Sequence, residues 1–115
     1  MSLIATFNDV LVTLVNSEHV AQSSLFLKRM RPDKALTSRF TQLLFQGSSP
    51  DADPILPLPA GYGRIKSIYA VEYDVPLPKR ERKAGLLLLG ANRNLYLYTD
   101  DHPLFLNVEI GRAHV

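Results

Sequence analysis

Apolar residues in the first fifteen positions recur at Leu3, Ile4, Phe7, Val10, Leu11, Leu14 and Val15. This three-and-four spacing gathers side chains on one face of a helix. Ser2 stands where a capping hydroxyl would accept from the first helical amides. The pattern predicts an amphipathic helix that must pack on a second element, because a lone helix of this length is marginal in water. Asn16, Ser17 and Glu18 offer a stop and a fresh cap, and Val20, Ala21, Leu25, Phe26 and Leu27 carry a second helical piece towards Met30. Arg31, Pro32 and Asp33 break that pattern: proline suits a first helical position and pushes the residue before it out of the helical region. A third helix is expected from there, with Leu36, Phe40, Leu43 and Leu44 on one face and Gly47 as its stop. Its tail, residues 41–46, reads equally as a short strand.

The second half changes period. Residues 47–54 hold two prolines and two aspartates and read as a loop. Pro57, Pro59, Gly61 and Gly63 keep the next segment extended. Ile65, Tyr69, Val71, Tyr73 and Val75 then share one parity while Lys66, Glu72 and Asp74 take the other, the signature of a half-buried strand. A charged excursion over residues 76–83 interrupts it, and a continuous apolar run resumes over 86–89. Residues 90–94 are a turn, residues 95–99 have the aromatic and apolar character of a strand, and a last strand is expected over 104–108. Loops this short imply an antiparallel meander. The expected class is therefore α+β, with N-terminal amphipathic helices packed on a small antiparallel β-meander in one domain over residues 1–109.

A chain of 115 residues with 46% hydrophobic content supports one domain with a modest core and is too short for two. There is no cysteine, which excludes disulfides and thiolate-held zinc and fits a reducing compartment. The N-terminus lacks a basic region, and Asn8 and Asp9 interrupt its first apolar run, unlike a signal peptide. No window approaches the roughly 18 consecutive apolar residues of a membrane helix. A cytoplasmic protein is expected. The six terminal residues, Ile110, Gly111, Arg112, Ala113, His114 and Val115, match one reading frame of the start of a common short-read sequencing adapter. Residues 110–115 are accordingly expected to be a non-native tail that cuts a domain still running at Val108 or Glu109. The formal charge of +2 includes Arg112, so it falls to +1 without the tail. That near-neutral balance argues for no nucleic-acid partner by itself.

Few side chains suggest chemistry. Asp100, Asp101 and His102 put two carboxylates and an imidazole in a row, but consecutive residues of a turn point in different directions, and a hard cation needs more converging oxygens. They read as turn residues. Glu72 and Asp74 share the polar face of one strand, as a general acid and base would, and as a solvent-facing edge also would. His19 reads as a cap or surface residue, and His114 belongs to the expected tail. Two basic groups remain: Lys28, Arg29, Arg31, Lys34 and Arg39, and then Lys79, Arg80, Arg82 and Lys83. The second quartet is the candidate nucleic-acid contact, although Glu81 interrupts it and no aromatic is interleaved with it. Gly61 and Gly63 make no phosphate loop, and there is neither a Gly-x-Ser-x-Gly elbow nor a His-Glu-x-x-His helix. No catalytic, cofactor-binding or metal-binding residue is assigned, and no cofactor is expected.

The order of short motifs is more informative. Ala5, Asn8, Asp9, Val10, Leu11 and Leu14 form Ala-x-x-Asn-Asp-Val-Leu-x-x-Leu; Ser38 to Thr41 read Ser-Arg-Phe-Thr; a Leu-Pro precedes a strand. Asn94 to Tyr98 read Asn-Leu-Tyr-Leu-Tyr, with Pro103, Leu104 and Leu106 shortly after. This series resembles tail tubular protein A and related head-to-tail adaptor proteins of short-tailed bacteriophages. The chain departs from that pattern in having no tryptophan, and Asn16, Ser17 and Glu18 replace a Gly-Glu turn. The resemblance implies helices packed as a bundle beside a small sheet. It also implies a structural role: one copy in a homo-oligomeric ring, binding portal on one side and tail nozzle on the other, with DNA in the lumen. The sequence reading is thus a non-enzymatic assembly protein of the cytoplasm or the virion. A nucleic-acid-binding module using the basic groups is the alternative, as is a fragment of an enzyme whose site lies beyond residue 109.

Overall fold

Valine at position 12 falls off the helical face drawn through Leu3 to Val15, and it is fully buried. In the computed structural model, Val10, Val12 and Leu14 point inward while Leu11 and Thr13 lie half-buried on the other side, a period of two. The segment is a strand, as its β-branched Val10, Val12, Thr13 and Val15 favour. The described residues are 3–7, 9–49, 52–76 and 78–100, with 106–108 described as backbone.

In chain order the elements are β1 (Ile4–Thr6), β2 (Val10–Asn16), β3 (Ser23–Arg29), α1 (Arg39–Leu44), β4 (Ile55–Pro57), a 3-10 turn (Ala60–Tyr62), β5 (Ile65–Val75), β6 (Glu81–Gly90), β7 (Leu95–Thr99) and β8 (Leu106–Val108). They form two antiparallel four-stranded sheets, ordered β1-β2-β3-β4 and β5-β6-β7-β8. The expected α+β class with N-terminal helices is therefore wrong: the protein is mostly β. The first expected helix is β1 and β2, paired from Ile4↔Thr13 to Thr6↔Leu11. The second is β3, where Ser23, Leu25 and Leu27 are buried in alternation. The third contracts to the six residues of α1, whose cap is Ser38: its hydroxyl accepts from the amides of Phe40 at 3.1 Å and Thr41 at 3.3 Å. The helix bundle implied by the adaptor resemblance is likewise not what these residues form.

The second half keeps its antiparallel order, with two adjustments. β6 begins at Glu81, so the charged excursion is shorter than expected and Glu81, Arg82 and Lys83 belong to the ladder, opposite Val75, Asp74 and Tyr73. A register shift between Ile65 and Ser67 moves Ile68 inward, leaving Tyr69 41% exposed and off the side shared with Ile65. The inward faces of both sheets share one core. Val10, Val12, Leu25 and Leu27 come from the first, Ile65, Ile68, Leu86, Leu88, Tyr96 and Tyr98 from the second. Phe40 of α1 enters between them, with its ring 5.4 Å from Phe7 and 5.5 Å from Tyr98.

A polar link centred on the buried Ser23 ties the sheets together. Ser23 Oγ donates to Asn16 Oδ1 and accepts from the Ile65 amide at 2.8 Å, while Asn16 Nδ2 donates to the Ile65 carbonyl at 3.3 Å. Each polar atom of that link has its partner, which is what makes its burial tolerable.

Candidate functional site

The β5–β6 hairpin outruns the sheet that carries it. β7 pairs with β6 from Leu89 back to Gly85, where Thr99 is its last partner. Past that point β5 and β6 continue as a two-stranded ribbon from Val71↔Gly85 to Val75↔Glu81. Asp100 follows Thr99 at the ribbon's root, where a cavity of about 310 Å³ is lined by Thr37, Ser38, Arg39, Phe40, Glu72, Glu81, Arg82, Lys83, Ala84 and Asp100.

Six residues singled out in the sequence meet here: Arg39, Glu72, Asp74, Arg82, Lys83 and Asp100. Arg82 bridges Glu72 at 3.2 Å and Asp74 at 3.3 Å, one guanidinium nitrogen to each carboxylate. Register dictates this, since Asp74 lies directly across from Arg82 and Glu72 is its diagonal neighbour. Hydrogen bonds donated to Glu72 first, then Asp74, raise the guanidinium's pKa above its ordinary value. Lys83 Nζ stands 3.7 Å from Glu81 Oε2 and 3.8 Å from Asp100 Oδ2, and Arg39 Nε approaches the same Asp100 oxygen at 3.6 Å. The side chains of Lys83 and Asp100 are only 7% and 9% exposed. At that burial the desolvation of two charges offsets much of their attraction, so the pair fixes the geometry of the root more than it stabilises the fold. Asp100 Oδ1 is buried and accepts no hydrogen bond from the described residues.

The arrangement does not look like acid-base chemistry. Glu72 and Asp74, considered above as a catalytic pair, are exposed and both engaged by Arg82. The nucleic-acid quartet is divided: Lys79 and Arg80 are exposed between the strands, Arg82 is held by two carboxylates, and Lys83 is buried in the root. The other basic group is divided too. Lys28, Arg31 and Lys34 are exposed, Arg29 lies over the Phe45 ring at 4.9 Å, and Arg39 turns to Asp100. His19 is an exposed residue of a short turn, its amide donating to Ser17 Oγ at 3.1 Å. Asp101, His102 and His114 lie outside the described residues, as do residues 109–115. Among the described residues no group of three His, Asp or Glu side chains is placed to hold a metal ion, and no helix is long and apolar enough to cross a membrane.

Sequence reasoning missed the convergence. The β5–β6–β7 pairing brings Glu72, Lys83 and Asp100 together, and the packing of α1 against the second sheet adds Arg39. No family model matches the chain, and no match is found among curated proteins or solved structures.

Proposed function

We infer that this chain is a non-enzymatic assembly domain that engages protein partners through the β5–β6 ribbon, with a subunit of a phage head-to-tail adaptor ring as its specific form. The observation that carries the reading is the ribbon itself. Its residues Glu72, Asp74, Glu81 and Arg82 are exposed, and Val71, Tyr73 and Val75 are only half-buried. A two-stranded ribbon is marginal alone in water. This one carries Arg82's ion pairs across its strands and is rooted on Lys83 and Asp100, a projection with apolar surface still to cover.

The adaptor form rests on the order of short motifs alone: Asn94 to Tyr98 run into β7, while Ala5 and Val10 to Leu14, its helical motif, lie in β1 and β2. Portal, tail nozzle and further copies of the chain would be the partners, met in the cytoplasm and retained in the virion. The nucleic-acid alternative is weaker because Arg82 and Lys83, half of its quartet, already face carboxylates within the fold.

The test is co-purification with a candidate portal protein, followed by native mass spectrometry and electron microscopy. A closed ring or a stoichiometric complex is expected, weakened when Val71 and Tyr73 are both changed to aspartate in a chain that still folds. A chain that stays monomeric beside portal sinks the adaptor form. Partner capture indifferent to the ribbon substitutions sinks the assembly reading.

A further inference from the structure

At the end of the second sheet opposite the ribbon, the turn between β6 and β7 is fixed in an uncommon conformation. The Arg93 amide donates to the Gly90 carbonyl at 3.0 Å and the Gly90 amide to the Asn94 carbonyl at 2.8 Å, closing a three-residue loop. Such loops end in a left-handed residue, usually glycine. Here that residue is Arg93, with φ of 72°.

The turn is anchored on every side. Asn92 Nδ2 and Asn94 Nδ2 donate to the Tyr96 hydroxyl at 3.1 and 3.3 Å, and the Tyr96 ring stacks on Tyr62 at 3.8 Å. The Ala91 amide donates to the Arg64 carbonyl at 2.8 Å, which clamps the turn to the start of β5. Between them lies a cleft of about 470 Å³, lined by Lys66, Leu89, Gly90, Ala91 and Arg93. Among the described residues its lining holds two cations, no carboxylate and the half-buried side chain of Leu89. Neither cation has an ion-pair partner among the described residues, in contrast to Arg82 and Lys83 at the other end of the same strands.

We propose that this cleft binds an acidic segment of a protein partner, with carboxylates at Lys66 and Arg93 and an apolar side chain against Leu89. Charge complementarity selects an anion, and the apolar floor selects a peptide over a phosphodiester backbone. A nucleic acid would need a continuous cationic track, whereas the strands leading away from the cleft carry Glu72, Asp74 and Glu81. The proposal shares the assembly reading's premise of protein partners but uses a different surface, so substitutions in the ribbon leave it untouched.

The test is a backbone-amide NMR titration of the full chain with an acetylated, amidated peptide of alternating glutamate and leucine. A glutamine-leucine peptide and an oligothymidine of equal charge serve as comparisons. Saturable shifts are expected at Lys66 and at residues 89–94 with the glutamate peptide, weakened at least tenfold in Lys66→Glu and in Arg93→Asn, which tolerates the same left-handed backbone. The glutamine peptide should leave those amides in place. Absence of saturable shifts, equal binding by the glutamine peptide, unchanged affinity in both variants, or tighter binding of oligothymidine each overturns the proposal.

Discussion

Replacing Arg93 with glycine should make the protein more stable. Arg93 holds φ of 72°, where a side chain's Cβ crowds the following carbonyl. For an L-residue the left-handed region costs about 1–2 kcal/mol, and glycine escapes that cost. Glycine also loses more freedom on folding, which takes back roughly 0.5–1 kcal/mol. The net gain is about 0.5–1 kcal/mol, or roughly 2–4 °C in Tm for a chain of this size. Arg93→Ala supplies the control, because it removes the guanidinium and keeps the Cβ; it should stay within about 0.5 kcal/mol of the parent. Urea unfolding followed by far-UV circular dichroism would give both midpoints, at an m-value common to all three chains. A glycine variant no more stable than the alanine variant would show that the turn carries no strain. If the gain appears together with loss of acidic-peptide binding, the arginine is held at a glycine position at the expense of stability, as functional residues often are.

Three further outcomes follow from the packing and the charges. Phe40→Ala removes a ring that is 1% exposed and wedged between Phe7 and Tyr98, and should cost about 3–5 kcal/mol in a urea midpoint measurement; a cost below 1 kcal/mol would mean α1 is not anchored there. Lys83→Met leaves Asp100 in the ribbon root with only the exposed Arg39 beside it among the described residues and should destabilise by roughly 1–3 kcal/mol, whereas Lys83→Met with Asp100→Leu should recover most of that loss, and simple additivity of the two single variants would refute the pairing. Burial raises the Tyr98 hydroxyl pKa, and burial followed by the neighbouring Tyr96 raises that of Tyr62. The folded chain therefore holds these protons more tightly than the unfolded one, so their contribution is intact below the unfolded value of about 10 and is lost as pH climbs through the folded values. Denaturation midpoints should fall above pH 10, less steeply in Tyr98→Phe; an identical slope in that variant would contradict the assignment.

The two halves of the chain differed in legibility for identifiable reasons. In the second half, turn residues and alternation agree: Asn92 and Asn94 flank the turn, and β7 follows as read. In the first half the apolar residues satisfy two periods at once. Val10, Leu11, Leu14 and Val15 suit a helix, and only the burial of Val12 and the density of β-branched residues separate the readings. Ser23 hid the start of β3, since a buried serine looks polar in sequence; its hydroxyl is inside to bond Asn16 and Ile65, partners far along the chain. The run Glu81, Arg82 and Lys83 read as a loop because charge usually marks solvent. In the ladder Asp74 and Glu72 meet Arg82 across the strand pair, and Asp100 meets Lys83, which makes charged residues acceptable in a strand.

The same residues show why a count of cations misleads about partners. The chain has 13 Lys and Arg against 11 Asp and Glu, with a calculated pI near 9.0, and two basic groups stand out in sequence. Folding redistributes them. Arg82, Lys83 and Arg39 are matched to carboxylates at the ribbon root, and Arg29 is laid over Phe45. Lys66 and Arg93, which belong to neither sequence cluster, come together at the opposite end of β5 and β6 with no acid beside them among the described residues. Lys79 and Arg80 are separated from them by the length of β5, about 30 Å at strand rise, which is several Debye lengths at physiological salt. A phosphate backbone joining the two ends would have to cross Glu72, Asp74 and Glu81, and would release few counterions for its length. Short acidic segments face no such obstacle, because each local pair of cations is a complete contact. On the proposed reading, the protein's positive charge serves discrete protein contacts rather than a nucleic-acid track.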